Sequence, residues 1–128
     1  MQPSLLLAVA AGGALGALGR YAVMSGVGHW IGHGFPWGTL IVNVVGSVLM
    51  GVLVEVMALV WSPSPEVRAL LVVGLLGAFT TFSTFSLDVV VLIERGELVP
   101  ALAYIVASVV VCVAGLYAGL HATRAVLA

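Results

Sequence analysis

One short segment, Gly77 to Ser86, concentrates hydroxyl groups and phenyl rings in an otherwise apolar part of the chain. Its rings recur at every third position, at Phe79, Phe82 and Phe85, so they can line one side of a helix. Its hydroxyls belong to Thr80, Thr81, Ser83, Thr84 and Ser86. Hydroxyls in hydrocarbon need hydrogen-bond partners. Hydroxyls that face the inside of a helix bundle can donate hydrogen bonds to a solute there. The segment therefore predicts a path for a small polar solute.

Two further sets of polar side chains are spaced by four residues, which places each set on one face of a helix. They are Thr39, Asn43 and Ser47 in one apolar segment, and Tyr104, Ser108 and Cys112 in another. Both sets could line the same narrow route. The alternative is that they only form hydrogen bonds between helices, as Ser, Thr and Asn commonly do in membranes.

The groups on this proposed wall are mostly hydrogen-bond donors: the Asn43 amide, hydroxyls and the electropositive edges of phenyl rings. No carboxylate lies in the central stretch of an apolar segment, since Glu55 and Asp88 are nearer the ends. Arg20 adds a positive charge that deprotonation cannot remove. This balance favours a small anion as the solute.

Composition indicates the class of protein that holds these groups. Hydrophobic residues make up 62% of the chain, charged residues 7%, and the mean hydropathy is +1.28. A soluble domain of 128 residues would need more polar surface than this to cover its core. We therefore expect an all-α integral membrane protein with one transmembrane domain, residues 1–128.

Four apolar stretches are long enough to cross a bilayer as helices, at about residues 4–27, 38–61, 68–93 and 99–122. Short stretches rich in glycine, proline or charged residues separate them, so successive helices should run antiparallel. A cleavable signal peptide is the competing account of residues 1–27, but no Lys or Arg precedes that apolar run. We therefore expect a multi-pass membrane protein.

Arginine placement gives only a weak preference for one orientation in the membrane. With four crossings, Arg68 and Arg124 lie on the side of the termini, and Arg95 lies on the other side. Arg20 lies inside the first helix, nearer the side of the membrane on which Arg95 lies. So small a bias predicts insertion in both orientations, with oppositely oriented copies paired about a two-fold axis.

Two Gly-x-x-x-Gly pairs offer surfaces on which helix backbones can approach closely. They are Gly12 with Gly16, and Gly115 with Gly119. Four helices enclose little space of their own, so a homodimer is expected and these pairs could support it. Packing within one subunit is the equal alternative.

Three motifs together resemble the Fluc (CrcB-like) fluoride channels of bacteria, in order and spacing, over nearly the whole chain. They are Gly-Arg-Tyr from Gly19, Gly-Thr-Leu-Ile-Val-Asn-Val-Val-Gly-Ser from Gly38, and Gly-Leu-Leu-Gly-Ala-Phe-Thr-Thr-Phe-Ser-Thr-Phe-Ser from Gly74. The resemblance implies a dual-topology homodimer in the cell inner membrane, with two antiparallel pores through which fluoride leaves the cytoplasm passively. It implies a channel and not an enzyme, with fluoride, sodium, lipid and a second copy as partners and no nucleic acid.

The resemblance also implies roles for individual residues. Phe82 and Phe85 match the family's phenylalanine pair, Asn43 its pore asparagine, and Arg20 the arginine near the aqueous mouth. The remaining pore positions implied are Tyr104, Ser108, Thr39 and Ser83. Two positions depart from the family pattern: Cys112 replaces an expected hydroxyl, and Asp88 stands where glutamate is expected.

A structural sodium ion is likewise implied by the resemblance, bound by the backbone carbonyls of Gly77 and Thr80. If the third helix breaks there in mid-membrane, unpaired carbonyls need water or a cation as partners. Across a two-fold axis two carbonyls become four, which suits a hard cation. Without a break, Gly77 is a packing glycine.

Two other functions remain open from the residues alone. A small proton-coupled multidrug transporter has a comparable size, but it needs a membrane-embedded acid, and only Glu55 is a candidate. A metal carrier or membrane enzyme could use His29 and His33, which are four residues apart in an expected loop. No carboxylate or cysteine accompanies that histidine pair.

Overall fold

The computed structural model describes all 128 residues, and its regular structure is entirely helical. Helix α1 is Pro3–Ile31 and α2 is Trp37–Leu59. The third span, Pro65–Glu94, contains α3 (Pro65–Arg68), a π-helical segment (Ala69–Leu76), α4 (Gly77–Phe79) and α5 (Phe82–Glu94), and the fourth span is α6 (Leu98–Leu127). All four spans are long and apolar enough to cross a membrane. The prediction of an all-α chain with four such helices is confirmed.

The first helix ends later than its glycine-rich sequence predicts. It continues to Ile31 because Gly28 stays helical, with its bare Cα packed against the ring of His33. Gly32 then ends the helix with a φ of 93°, and its N–H donates to the carbonyl of Gly28 at 3.0 Å. His29, expected in a loop, therefore lies in the last turn of α1.

The ends of the later spans also follow local signals. Ser64 caps the third span by accepting the Val67 N–H at 3.2 Å, and Pro65 occupies the first helical turn, so this span begins before residue 68. After α5, Gly96 has a φ of 78° and lets the chain reverse. The last helix continues to Leu127 rather than ending near residue 122.

Helices α2 and α6 lie side by side and run in the same direction. A side chain at Gly51 would overlap the carbonyl oxygen of Leu116, and one at Gly119 would overlap that of Val48. One turn beyond Gly51, Glu55 of α2 pairs with a residue near the end of α6. Their contact is the most extensive between any two helices of the chain, and residues of both helices line the candidate site.

The glycine pair on α1 serves a different contact within the same chain. Side chains at Gly12 and Gly16 would overlap the carbonyl oxygens of Leu70 and Leu75 in the π-helical segment. The pair on α6 is used against α2. Both Gly-x-x-x-Gly pairs are thus occupied inside one subunit, so the alternative of intrasubunit packing is the one observed.

Most of the apolar surface faces outward. Only 17 of 128 residues are buried, and every span presents large apolar side chains on its outer face. Water is a poor environment for such a surface, whereas lipid is a good one. The fold therefore fits a bilayer, with the few buried residues between the helices.

Candidate functional site

The third span is interrupted about midway along its length. Thr80 and Thr81 have extended backbone conformations, with φ and ψ of −85° and 158° for Thr80 and of −151° and 124° for Thr81. Helix α5 then starts at Phe82, capped by the Thr81 hydroxyl, which accepts the N–H of Thr84 at 3.1 Å. A threonine three residues before a helical N–H supplies this cap, so the Thr-Thr-Phe-Ser-Thr sequence itself encodes the restart.

One side chain holds the interruption in place from the neighbouring helix. The amide of Asn43 accepts the Thr81 N–H at its Oδ1 (2.8 Å) and donates from its Nδ2 to the Thr81 carbonyl oxygen (3.0 Å). Both backbone groups of one non-helical residue are thereby paired. The Nδ2 group of Asn43 carries a second hydrogen, which neither of these two bonds uses.

The interruption removes the usual partners of several carbonyl groups. In an uninterrupted helix the Thr81 N–H would bond to the carbonyl of Gly77, but here Asn43 takes it. The Thr80 carbonyl oxygen accepts no hydrogen bond. This part of the third span therefore presents acceptor oxygens that the protein itself leaves available.

A second side chain pairs with the interruption from another helix. The Nε of Arg20, on α1, donates to the carbonyl oxygen of Ala78 at 3.0 Å. Ala78 lies in the last helical turn before the break, where carbonyls lack intrahelical donors and the helix dipole is negative. Arg20 thus caps a helix end, a contact that the sequence prediction of an arginine near an aqueous mouth did not include.

Between α2, the interruption and α6 lies an open groove of about 430 Å³. Four of the predicted pore residues line it: Asn43, Phe82, Phe85 and Ser108. Its other lining residues are Gly46, Ser47, Met50, Thr80, Thr81, Val109, Cys112, Val113 and Leu116. None of the thirteen carries a charge.

The two phenyl rings of the groove differ in exposure. Phe82 is 77% exposed and Phe85 is buried, and their ring centroids lie 5.4 Å apart with planes inclined by 44°. Inclined rings present edges as well as faces, and ring edges are electropositive. The groove wall can therefore attract negative charge without a cationic side chain.

Ser108 is the groove residue whose buried side-chain oxygen has no hydrogen-bond partner. It is 7% exposed, and its buried hydroxyl makes no hydrogen bond. Serine hydroxyls in helices often bond to a backbone carbonyl one turn earlier, as Ser86 does with Phe82 at 3.0 Å. Ser108 therefore has an unused donor beside the groove.

A smaller cavity of about 160 Å³, the vestibule, lies near the connection between α1 and α2. Thr39, Asp88, His33 and Arg95 are among its lining residues. Tyr104 is fully buried and contacts residues of both cavities. Its hydroxyl donates to Oδ2 of Asp88, a vestibule residue, at 2.9 Å. Its ring also lies 5.1 Å from that of Phe85.

The predicted site residues thus divide into groups. The groove receives four of the predicted pore residues and also Thr80, whereas Thr39 and Tyr104 are associated with the vestibule and Arg20 with the break. Ser83 is exposed and lies outside both cavities, with its hydroxyl 3.4 Å from that of Thr81. The carbonyls of Gly77 and Thr80 lie in the interrupted region.

Comparison with known proteins identifies the family of the chain. Residues 7–120 match the profile of the family described as CrcB-like protein, Camphor Resistance (CrcB). The chain belongs to the CrcB-like family. A protein named fluoride-specific ion channel FluC from Rhodospirillum centenum is 56% identical over 124 residues, covering 97% of this chain and 98% of the relative. A protein of the same name from Nitrobacter winogradskyi is 52% identical over 126 residues, covering 98% and 100%.

Membership of the CrcB-like family confirms the resemblance found in the sequence motifs. Together with the four long apolar helices, it makes the chain a multi-pass membrane protein. The relatives of this family named above are called channels, so the expectation that the chain is not an enzyme is also confirmed.

Several groove residues were not singled out from the sequence. Gly46 is one, because a side chain there would overlap the Thr80 methyl group, so only glycine allows α2 to approach the interruption so closely. Met50 is another, since a methionine in an apolar helix gives no signal of its own. For Gly46 a signal did exist: it follows Asn43 by three residues and so lies on the same helix face.

The carboxylate that a proton-coupled transporter would need is engaged elsewhere. Glu55 is 6% exposed and accepts hydrogen bonds from Arg124 Nε at 3.1 Å and Nη2 at 3.4 Å. It does not line the groove. An acid held in a two-pronged ion pair is poorly placed to exchange protons with a solute.

The two histidines considered for a metal have separate surroundings. His29 contacts Trp30 edge-on, with ring centroids 5.6 Å apart. His33 lies after the end of α1, where it packs on Gly28 and lines the vestibule.

Proposed function

We propose that this protein is a fluoride channel, with the groove as part of its ion path. The observation that supports this most directly is an uncharged groove lined by inclined phenyl rings, a spare amide hydrogen and an unpartnered hydroxyl. Such a wall offers donors to an anion and no competing carboxylate. The relatives' name, fluoride-specific ion channel, supplies the identity of the anion.

In this proposal the vestibule and the groove are successive parts of one route. Fluoride enters the vestibule beside Thr39 and Arg95, and it loses water as it meets donors further in. The free amide hydrogen of Asn43 and the hydroxyl of Ser108 replace part of the hydration shell. The edges of Phe82 and Phe85 hold the ion weakly enough for release.

Two of the predicted residues act through others in this scheme. Arg20 fixes the end of α4 through the Ala78 carbonyl, and its charge also favours an anion nearby. Tyr104 orients Asp88 at the boundary of the vestibule. Ser83, exposed on α5, would face the path only if another chain covers this side.

We further propose an antiparallel, dual-topology homodimer with two pores. The groove is open along one side, and a second copy would close it around the exposed ring of Phe82. Arg20 is bonded to the interruption, so it is no topology signal. The other arginines stand at two against one, with Arg68 and Arg124 on the side of the termini and Arg95 on the other side. That bias is too small to fix one orientation.

The proposed sodium ion fits the chemistry of the interrupted helix. Gly77 has lost its helical donor and the Thr80 carbonyl has none, so both oxygens are available to a hard cation. These two residues would hold the ion, together with their counterparts in a second copy. When bound, sodium would neutralise acceptor dipoles that lipid cannot satisfy. A bound ion would in this way allow the interrupted segment to lie in the middle of the membrane.

Passive export across the inner membrane completes the proposal. No carboxylate, histidine or basic side chain lines the groove, so it lacks the kinds of group that usually couple transport to protons. Fluoride would move down its own gradient, out of the cytoplasm.

Fluoride efflux from liposomes containing the purified protein tests the proposal. Phe82→Ile should lower fluoride efflux strongly while the dimer stays intact in gel filtration, because it removes a ring edge and keeps an apolar side chain. Phe79→Ile is the matched control, since Phe79 lies outside the groove. Wild-type protein that releases no more fluoride than empty liposomes would refute the function, and normal flux in Phe82→Ile would refute the pore assignment.

The sodium proposal has a separate test. Replacing sodium by N-methylglucamine, with the fluoride concentration held constant, should lower the thermal stability of the dimer. Restoring sodium should recover it, and lithium should do so less well. Equal stability in all three solutions would contradict a sodium site.

A further inference from the structure

The vestibule has three ionisable side chains among its lining residues, and they come from two parts of the chain. His33 lies in the connection between α1 and α2, whereas Asp88 lies on α5 and Arg95 at the end of that helix. His33 belongs to none of the family motifs and has no part in the ion path proposed for fluoride. Its position in the vestibule therefore needs an explanation of its own.

The backbone around His33 holds its ring at the vestibule wall. Gly32 ends α1 with a φ of 93°, and the His33 ring then packs on the Cα of Gly28, where a side chain would overlap it. The next residue, Gly34, accepts a hydrogen bond at its carbonyl oxygen from Arg95 Nη1 at 3.4 Å. His33 is nevertheless exposed to solvent, so protons reach its ring freely.

Few other ionisable groups face His33 from the elements around it. Helix α5 contributes Asp88 and Arg95, and α6 contributes the Tyr104 hydroxyl, which donates to Asp88. Helix α2 contributes none, and the histidine in the last turn of α1, His29, is not among the lining residues. His33 forms no ion pair with any of these groups, since the only ion pair of the chain lies between α2 and α6.

The net charge of the vestibule depends on His33. Carboxylate, guanidinium and phenol side chains ordinarily keep one charge state between about pH 5.5 and 8, whereas an imidazole changes its charge in this interval. When His33 is neutral, the negative charge of Asp88 and the positive charge of Arg95 balance. When His33 is protonated, the lining residues carry one net positive charge.

We propose that His33 is a proton-dependent entry residue, which makes the vestibule attractive to anions as the pH falls through the range in which histidine titrates. The inference rests on the proposed fluoride channel, whose ion path includes the vestibule. A unit charge about 5–10 Å from an ion in water changes the local concentration of that ion about two- to fourfold. The rate of fluoride entry should rise by that factor, and by less at high ionic strength, where the charge is screened. The proton stays on His33, so the channel remains passive.

Fluoride efflux from liposomes at about pH 8 and about pH 5.5, with the same pH on both faces, tests this role. Fluoride is kept low enough that the rate stays proportional to its concentration, and protein-free liposomes correct at each pH for leak of HF. The wild type should be about two- to fourfold faster at the lower pH. In His33→Gln the two rates should be equal. The matched control His29→Gln should keep the wild-type ratio, because His29 lies outside the vestibule.

A fixed charge at the same position gives a second test at one pH. At about pH 8, His33→Lys should conduct about two- to fourfold faster than His33→Gln, and about 1 M of an impermeant potassium salt should reduce this difference. Gel filtration establishes that each variant is folded.

The outcomes separate this role from the channel function itself. Fluoride efflux without a pH effect in the wild type would overturn the role of His33. The same conclusion would follow from a pH effect that survives in His33→Gln, from its loss in His29→Gln, or from equal rates in His33→Gln and His33→Lys. No efflux beyond protein-free liposomes at either pH would refute the channel function, and this inference with it.

Discussion

Replacing Ser108 by alanine should change stability and flux in opposite directions. The hydroxyl of Ser108 is buried without a partner, so its desolvation is uncompensated in the fold. Leaving such a group unpaired costs about 1–3 kcal/mol, and Ser108→Ala removes that cost. The same change removes a donor to a partly dehydrated anion, and a hydrogen bond to a charged group contributes about 1.5–3 kcal/mol. At about 1.4 kcal/mol per factor of ten, flux should fall roughly tenfold to a hundredfold.

Two measurements on the same preparation separate these effects. Thermal unfolding in detergent should show Ser108→Ala to be at least as stable as the wild type, whereas a fluoride electrode should show slower efflux from liposomes. Ser86→Ala is the control, since its hydroxyl is bonded to the Phe82 carbonyl at 3.0 Å and lies outside the groove. That variant should be no more stable than the wild type and should conduct normally. Wild-type flux in Ser108→Ala would refute the reasoning, as would a large loss of stability.

Two more changes test contacts made by side chains of α2. Asn43→Asp keeps the acceptor for the Thr81 N–H but sets an anionic oxygen against the Thr81 carbonyl; we expect a stability loss of about 1–3 kcal/mol and a large fall in flux. Unfolding and efflux assays check this, and wild-type behaviour in both would contradict it. Glu55→Gln removes the charge that pairs with Arg124, which is half exposed and can be solvated, so the loss of stability should be below about 1 kcal/mol. Fluoride efflux should persist in that variant, and its abolition would revive an acid-coupled mechanism.

The spans and the segment that interrupts the third helix could be predicted from the sequence for simple physical reasons. Apolar length identifies membrane helices, and a dense set of hydroxyls and rings is unusual inside one. Spacing by four placed Asn43 and Ser47 on one face and Ser108 and Cys112 on another, and the structure brings these faces together at the groove. Local pattern was sufficient there because each residue acts from a regular helix.

The pairings of Arg20, Asn43 and Tyr104 could not be predicted in this way. Arg20 and Asn43 bond to backbone atoms of the interruption, and those atoms are free only because the helix is broken there. Tyr104 shares a stripe with Ser108, but its longer side chain reaches Asp88 instead of the groove. The glycine pairs were ambiguous because close approach within a chain and between chains requires the same residue type.

The pairing of the interruption with α1 and α2 has a consequence for biogenesis. A break inside lipid exposes peptide groups, each of which costs several kcal/mol if it is unpaired. Arg20 and Asn43 lie upstream of Thr80 and Thr81 in the chain, so a ribosome synthesises both partners before it synthesises the segment that needs them. The third span can therefore enter the bilayer against α1 and α2, which are already made. If these two helices were made after the third span, its interruption would enter the bilayer with unpaired peptide groups.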